Sequence, residues 1–184
     1  FCTPALVSGN IGELKAFLEK HREIVVKPID TMGGESIFKL QYGDLNTNVI
    51  LETVTNRGNR VIMAQGFIPE ISAGDKRILI VNGKPVPYAL ARIPSEDEFR
   101  GNLAAGGTGS GQPLSQRDME IASTVGKFLK EQGILFAGID VIGDYLTEIN
   151  ITSPTCIREL DAQFDLNISA DLFDAIEERC AVAS

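Results

Sequence analysis

The stretch "GIDVIGDYLTEINITSPT", residues 138–155, decides the fold. It holds two acids and an amide, Asp140, Glu148 and Asn150, in an otherwise apolar and β-rich run, which predicts two strands joined as a hairpin. Side chains alternate along a strand, so a connection with an odd number of residues would make Asp140 face Glu148, with Asn150 on the same face. A two-residue turn at Gly143-Asp144 would place the two acids on opposite faces.

On one face, two opposed carboxylates repel each other unless a cation lies between them. Oxygen ligands without His or Cys favour Mg²⁺, which usually takes one or two carboxylates and completes its shell with water and substrate phosphate. We therefore favour the arrangement with a shared face and predict a magnesium site, at which Mn²⁺ could replace Mg²⁺. The sequence has a single histidine, which excludes a site built from several histidines.

Composition narrows the class of partner. The 184 residues include 25 acids and 17 bases, and the net charge of −8 argues against duplex nucleic acid and anionic membranes as partners. No apolar run approaches the roughly 20 residues that a membrane span needs. Three well-separated cysteines fit a reducing compartment, so we expect a cytoplasmic location.

The order of predicted elements is β-α-β-β-α-β followed by hairpins and helices, which predicts an α+β fold in two lobes. Residues 94–112 are rich in glycine and are predicted as a flexible loop, for which a functional lid is the usual reason. The remaining elements are strands at 4–7, 23–28, 36–40 and 61–69, helices at 10–22 and 44–58, a hairpin over 75–93 that turns at Asn82-Gly83, a helix capped by Ser115 and Asp118, and two short C-terminal helices, the last over 167–180.

A magnesium ion that needs phosphate should have phosphate-binding groups near it. Lys27 ends an apolar strand, where it is either solvated or paired with an anion. The Gly33-Gly34 loop offers backbone N–H groups to a phosphate, although such a pair between strands is more often only a turn. Arg77 and Arg92 lie on the two arms of the 75–93 hairpin; they are either ordinary surface residues or guanidinium ligands of phosphate and carboxylate.

The combination resembles one known family. The segments "VVKPIDTMGGESIF", "MAQGFIP", "GDKRILIVNGKPVPYALARIP", "FRGNLAAGG", "GIDVIG" and "LTEINITSPTCIRE" occur in this order in the ATP-grasp domain of bacterial glutathione synthetases. The resemblance runs from about residue 4 to residue 175. It implies an α+β ATP-grasp fold in which two lobes grip ATP, with an antiparallel-rich sheet and flanking helices. Residues 1–65 would form the small lobe, and 66–184 the large lobe with the metal site and the loop at 94–112.

The resemblance also implies a role for each residue of the site. Lys27, Gly33, Gly34 and Ser36 would bind the ATP phosphates, Gln65, Gly66, Phe67 and Ile68 would read the adenine edge, and Asp75 would bind the ribose. The metal ligands of the family match Asp140, Glu148 and Asn150, and its catalytic residues match Arg77, Arg92, Arg100 and Asn102. The acceptor site matches Ser153 and Thr155, which lie next to a helix expected to begin at Pro154.

The reaction implied is a ligation. ATP phosphorylates the C-terminal carboxylate of γ-glutamylcysteine, and the amine of glycine displaces the phosphate. Such chemistry depends on positioning and charge neutralisation, so we expect Cys156 to be structural and not a nucleophile. The family also implies a homo-oligomer, a tetramer, and a further substrate-binding domain that is not part of these 184 residues.

Two other functions remain open. One is a different carboxylate–amine ligase of the same superfamily, such as a glutamate ligase; the sequence after Asn150 argues against it. The other is a nucleotide-binding module without catalysis. Retention of all three metal-type residues argues against that, because a binding module need not keep every one.

Overall fold

The computed structural model describes residues 1–31, 34–95 and 108–182, and the chain divides into two units. The N-terminal unit is Cys2–Pro69, and the C-terminal unit is Glu70–Ser184 together with Phe1. The division falls after Pro69 and not after residue 65, since the backbone N–H of Phe67 still donates to the carbonyl of Glu23 in the first sheet, at 3.1 Å. Three predicted site residues, Gly33, Arg100 and Asn102, lie outside the described residues.

The N-terminal unit is an antiparallel sheet with helices on one face. Along its second strand, buried residues alternate with half-buried ones, so Ile24 and Val26 pack into the core while Val25 and Lys27 lie on the opposite face. The strands, in the spatial order β1-β4-β2-β3, are β1 Ala5–Ser8, β2 Glu23–Pro28, β3 Phe38–Gln41 and β4 Ile62–Gly66, and the helices are α1 Ile11–His21 and α2 Thr47–Val54.

Local contacts explain where α1 begins and where α2 ends. Asn10 caps α1 as predicted, because its side-chain oxygen accepts the N–H groups of Gly12 at 2.8 Å and Glu13 at 3.2 Å. The second helix is shorter than the predicted 44–58. The hydroxyl of Thr55 donates to the carbonyl of Leu51 at 2.6 Å, and the three residues 56–58 then adopt positive φ, which no helix can continue.

The C-terminal unit is a five-stranded antiparallel sheet with helices on both faces. Its strands, in the order β7-β6-β5-β8-β9, are β5 Asp75–Val81, β6 Lys84–Ile93, β7 Thr108–Pro113, β8 Phe136–Ile142 and β9 Tyr145–Asn150. The helices are α3 Gln116–Glu131, α4 Ile157–Phe164 and α5 Ile168–Val182, and a 3₁₀ helix covers Pro69–Ala73. The turn between β5 and β6 is the predicted Asn82-Gly83, with φ of 48° and 79°.

The two faces of this sheet bury separate cores. Ile78, Ile80 and Ile139 pack with residues of α3 such as Ile121, while Leu79 and Leu90 point to the other face, where Cys156 and Leu160 cover them. These layers and the antiparallel strands confirm the α+β class. Within the described parts of the chain, no helix has both the length and the apolar character required to cross a membrane.

The predicted loop 94–112 is wrong at its C-terminal end. Residues 108–113 form β7, an edge strand on which Gly109 pairs with Arg92 and Pro113 with Tyr88. A side chain at position 111 would crowd α4, because a Cβ there would lie 2.7 Å from Gln163 Oε1 and 2.8 Å from Phe164 Cζ, and these side chains would have to shift. A glycine-rich sequence that indicated a loop therefore serves close packing of α4 against a strand. Residues 96–107 of the predicted loop lie outside the described residues.

Candidate functional site

The hairpin of β8 and β9 brings Asp140 and Glu148 together by a route that the sequence analysis did not consider. The turn has two residues, Gly143-Asp144, since Ile142 pairs with Tyr145. The expectation of an odd-numbered connection is therefore wrong. The register then shifts between Asp140 and Val141, so that one extra residue of β9, Thr147, is accommodated in a β-bulge.

The bulge produces the predicted facing. Asp140 pairs with Glu148 and Gly138 pairs with Asn150, so both acids and the amide lie on one face of the sheet. The side-chain amide of Asn150 donates to Asp140 Oδ2 at 3.4 Å. The hydroxyl of Thr147 donates to the carbonyl oxygen of Asp140 at 3.1 Å and closes the bulge. The predicted trio is thus assembled, with Asp140 buried and Glu148 exposed.

Both predicted arginines point to the same buried carboxylate. Arg77 holds Asp140 with two parallel bonds, from Nε to Oδ1 at 2.5 Å and from Nη2 to Oδ2 at 3.0 Å. The Nη2 of Arg92 lies 2.9 Å from Asp140 Oδ2 and 2.5 Å from Asp75 Oδ2. Two guanidiniums thus face two carboxylates, whose charges balance when both carboxylates are ionised, and the exposed fractions of the four side chains lie between 3% and 12%. The interpretation of these arginines as ordinary surface residues is wrong.

The carboxylate of Asp75 has fewer hydrogen-bond partners than that of Asp140. Its Oδ1 is buried and has no hydrogen-bond partner. Burial, reinforced by the nearby charge of Asp140, raises the pKa of Asp75 to about 7 in spite of the opposing charges of Arg92 and Arg77. Asp75 was predicted to bind the ribose; the structure places its carboxylate against Arg92, and the ribose role stays a prediction.

A glycine that the sequence analysis did not single out makes room for the arginine. A Cβ at Gly138 would lie 2.9 Å from Cδ of Arg77 and 2.8 Å from Cβ of Pro154. The Arg77 side chain therefore runs across Gly138 on its way to Asp140, and Pro154 closes the other side. The only sequence signal for this role is a glycine inside a strand, which often marks a close approach of another group.

The predicted substrate turn precedes α4, but this helix begins at Ile157 and not at Pro154. Cys156 and Ser153 both have positive φ, 92° and 48°, which is incompatible with a helix over 154–156. Ser153 and Thr155 are exposed. Cys156 is 2% exposed and packs in the core with Leu160, and burial raises the pKa of its thiol. This environment agrees with the structural role that was expected for Cys156.

A second polar cluster lies on the opposite face of the sheet, where α3 packs. Lys76, between Asp75 and Arg77 in sequence, donates to Asp118 and also to the carbonyl of Gly143 at 3.1 Å. Asp118 Oδ2 accepts from the backbone N–H of Ser115 at 3.0 Å and from its hydroxyl at 2.7 Å. The cap on α3 was predicted from the sequence, whereas the role of Lys76 was not; alternation along β5 places Lys76 on the face away from the arginines.

Two of the predicted nucleotide residues of the N-terminal unit, Lys27 and Gln65, share the sheet face that α1 and α2 leave uncovered. Lys27 is half-buried and pairs with Met63, and Val25 pairs with Gln65. On the same face the ammonium of Lys39 lies 3.7 Å from the ring centroid of Phe67. Lys27 and Gln65 are thus neighbours on one surface, whereas Gly34 and the exposed Ser36, with φ of 82° and 58°, lie between β2 and β3.

Two backbone N–H groups of the segment 65–68 already donate hydrogen bonds within the N-terminal unit. Gly66 donates its N–H to the carbonyl of Pro4 at 3.0 Å, and Phe67 donates to Glu23. An adenine edge would therefore have to use the other backbone groups of the segment. Ile68 is 7% exposed, while Gln65, Gly66 and Phe67 are half-buried.

The donor set of the trio fits a hard cation. Asp140, Glu148 and Asn150 supply only oxygens to a metal, as Mg²⁺ prefers. The Asn150 contact uses the amide nitrogen, which leaves the amide oxygen as a ligand. Both oxygens of Asp140 already accept from arginine, but a carboxylate offers about four lone-pair directions and can hold a cation as well. In residues 1–31, 34–95 and 108–182, no three His, Cys, Asp or Glu side chains form a metal-binding group by themselves.

Comparison with known proteins identifies relatives over nearly the whole chain. The family described as prokaryotic glutathione synthetase, ATP-grasp domain, matches residues 1–165. Glutathione synthetase of Xanthomonas campestris pv. campestris is 63% identical over 176 residues, which are 96% of this chain and 56% of that protein. The enzyme of Pseudomonas aeruginosa is 59% identical over 181 residues, 98% of this chain and 57% of that protein. The chain thus spans little more than half the length of these curated relatives.

Solved structures show the same fold at low sequence identity. D-cycloserine synthetase DcsG superposes with a TM-score of 0.73 at 14% identity, over 97% of this chain and 65% of that chain. A Chryseobacterium gregarium RiPP-associated ATP-grasp ligase gives 0.65 at 21% identity, over 97% and 55%. These likenesses confirm the ATP-grasp fold. With the family match over residues 1–165 and relatives about 60% identical, the chain belongs to the ATP-grasp domain family of prokaryotic glutathione synthetases.

Proposed function

We propose that this chain is the ATP-binding part of an enzyme that joins γ-glutamylcysteine to glycine, with ATP converted to ADP and phosphate. The observation that carries the proposal is the grouping of Asp140, Glu148 and Asn150 beside the buried guanidiniums of Arg77 and Arg92. An oxygen donor set next to two fixed cations suits a substrate that brings both phosphate and a divalent ion. Membership of the family supplies the chemical class of the reaction.

The proposed reaction consists of one phosphoryl transfer followed by one acyl transfer. A carboxylate oxygen of γ-glutamylcysteine attacks the γ-phosphorus of ATP, and the bond to the ADP oxygen breaks. The amine of glycine then attacks the acyl carbon, loses a proton, and inorganic phosphate leaves. Neither step needs a nucleophile from the protein. Arg77 and Arg92 are proposed to stabilise the negative charge that develops on the transferred phosphoryl group and on the acyl oxygen, and Arg100 and Asn102 are proposed as further catalytic contacts.

Asp140, Glu148 and Asn150 are proposed to hold Mg²⁺ or Mn²⁺, which would neutralise phosphate charge. The surrounding charges should make binding of the divalent ion at this site dependent on bound nucleotide. Arg77 and Arg92 offset the charge of Asp140 and that of Asp75 in its ionised form, so the negative charge of the trio that these guanidiniums do not pair is that of Glu148. A divalent ion alone would meet two guanidiniums and little net attraction, whereas an ion that arrives with phosphates brings its own counter-charge.

Further residues are proposed to contact the nucleotide. Lys27, Gly33, Gly34 and Ser36 would bind phosphates, residues 65–68 the adenine, and Asp75 the ribose. Support comes from the shared surface of Lys27 and Gln65 on the uncovered sheet face. The acceptor is proposed to lie near Ser153 and Thr155, whose turn adjoins Arg77 through Pro154 and Gly138.

Assembly and location follow as proposals from the same family and from composition. We propose a homo-oligomer, a tetramer, in the cytoplasm, with partners limited to ATP, γ-glutamylcysteine and glycine. The cytoplasmic location is supported by three cysteines that form no disulfide.

The test is a phosphate-release assay on the full-length gene product, with each substrate omitted in turn. Phosphate should appear only when ATP, Mg²⁺, γ-glutamylcysteine and glycine are all present, and mass spectrometry should identify glutathione. Release with glutamate in place of glycine would indicate a glutamate ligase. Binding of Mg-ATP without release under any combination would indicate a nucleotide-binding module.

A further inference from the structure

The lysine cluster on the far side of the sheet joins three elements at one point. Lys76 of β5 is 13% exposed at its side chain, and its ammonium donates both to Asp118 at the start of α3 and to the carbonyl of Gly143 in the β8–β9 turn. Asp118 is 1% exposed and also receives two bonds from Ser115. A buried lysine and carboxylate are costly unless their bonds are well satisfied, and here they are.

The turn that Lys76 holds belongs to the hairpin that carries the proposed metal ligands. In the part of the chain that the structure describes, β9 is an edge of its sheet and pairs with one strand, β8. Outside the ladder, the hairpin is also held by Arg117 of α3, whose Nε donates to the carbonyl of Asp144 at 3.1 Å, and by the carbonyl of Phe1, which accepts from the N–H of Leu146 at 3.1 Å. A shift of one residue in the pairing would turn Glu148 to the opposite face. The bond from Lys76 to Gly143 adds an anchor at the end of the hairpin, outside the ladder itself.

We propose that Lys76 is a positioning residue for the metal site: through Gly143 it fixes the β8–β9 hairpin, and thereby holds Glu148 opposite Asp140. The inference rests on the proposed function of that site. Lys76 lies on the face away from Arg77 and Asp140, so its effect is transmitted by the backbone of the hairpin and not by contact with a ligand.

A purely structural role would give a different result. If Lys76 only completed the buried pair with Asp118, its loss would lower stability without a specific effect on metal binding. The two roles separate in a double variant, Lys76→Met with Asp118→Asn, which removes both charges together and leaves no unpaired buried ion. Asp118→Asn alone keeps the lysine and its bond to Gly143.

The experiment measures Mn²⁺ binding to the full-length gene product in the presence of ADP, by EPR of the free ion, together with hydrogen exchange of residues 143–150. The double variant should bind Mn²⁺ about tenfold more weakly, in the range that supporting residues of metal sites show. Its hairpin amides should exchange faster, whereas Asp118→Asn should bind Mn²⁺ with the affinity of wild type.

The matched control removes another bond from a basic side chain to a backbone carbonyl, at the opposite end of α3. Arg179 donates to the carbonyl of Gly133 at 2.5 Å, and Arg179→Met should leave Mn²⁺ binding unchanged. Unchanged Mn²⁺ affinity in the double variant would overturn the inference, as would an equal loss in Asp118→Asn or in Arg179→Met. If wild type neither binds Mn²⁺ with ADP nor releases phosphate, the proposed function fails, which is a distinguishable result.

Discussion

Asp140 shows how a single side chain organises the site. Its carboxylate accepts from Arg77, Arg92 and Asn150, while its backbone carbonyl accepts from Thr147. Charge-assisted bonds of this kind outweigh the cost of burying a carboxylate only if all of them are made. Asp140 is therefore both a proposed ligand and the centre to which the arginines are fixed, whereas the exposed Glu148 has no such structural duty in the described part of the chain.

This difference makes Glu148 the better residue for a test of catalysis. Glu148→Gln keeps the shape of the side chain and removes its charge, so phosphate release should fall at least about 100-fold, as expected when a group that stabilises charge in the transition state is lost. The thermal unfolding midpoint should not change, because Glu148 is exposed and makes no structural ion pair within the described residues. Undiminished phosphate release would remove Glu148 from the metal site.

The raised pKa of Asp75 makes a prediction about stability. In the unfolded chain this carboxyl titrates near its ordinary value of 3.8, and in the folded protein near 7. The folded state thus binds more protons between these values, so the contribution of Asp75 to the free energy of unfolding falls as pH rises from about 4 to about 7. Asp75→Asn should remove that contribution.

Urea unfolding of the metal-free protein at a series of pH values measures this effect. Wild type should lose more stability between pH 5 and pH 7.5 than Asp75→Asn does, since all other titrating groups are shared by the two proteins. Parallel curves for the two proteins would show that Asp75 stays ionised in the folded state throughout this range. Arg92 keeps a partner in the variant, because it also lies 2.9 Å from Asp140.

At the scale of elements, the sequence of β9 carries a signal for its bulge. Apolar residues that face α3 occur at Leu146 and Ile149, three apart, with the polar Thr147 and Glu148 between them. A regular strand would require a spacing of two, so this break in alternation is a signal for a bulge. The predicted facing of Asp140 and Glu148 is right although the predicted turn is wrong, because the bulge, and not the length of the turn, brings the two side chains to one face.

Other elements were predictable to the degree that their causes are local. The Asn10 cap and the Asn82-Gly83 turn are set by a few neighbouring residues and were found. Strand β7 was missed, because its Gly111 packs against the ring of Phe164, which is far away in sequence. The cluster around Lys76 was missed for the same reason, since Asp118 lies 42 residues away from it.

Strand β7 makes a prediction that compares two of its glycines. Gly111→Ala would push a Cβ against Gln163 and Phe164, and should lower the free energy of unfolding by about 1–3 kcal/mol, the usual cost of overpacking. Gly109→Ala meets only the side-chain end of Leu90, at 3.2 Å, and should cost less. Chemical denaturation of both variants measures the difference, and equal stability would show that α4 does not pack tightly on β7.

At the scale of the whole molecule, the proposed function draws on the family match and on polar residues of the two units. The chain covers 56% of a relative such as the Xanthomonas campestris enzyme, and the matched region includes the entire N-terminal unit and most of the C-terminal one. Each unit presents polar residues that its own core does not explain: Lys27 on the uncovered sheet face of one, and Glu148 in the other. If both serve one nucleotide, their effects on its binding must be coupled.

A double-mutant cycle tests this coupling. Lys27→Met and Glu148→Gln should each weaken binding of Mg-ADP, measured by calorimetry, and the double variant should lose less than the sum of the two changes in binding free energy. Residues that act on one ligand through shared phosphates and a shared ion are not independent, whereas distant and unrelated sites add within about 0.5 kcal/mol. The control is Lys15→Met, an exposed lysine of α1 on the other side of the first sheet, which should leave binding unchanged. Additive losses would place Lys27 and Glu148 at separate sites, and an unchanged affinity in Lys27→Met would remove the N-terminal unit from phosphate binding.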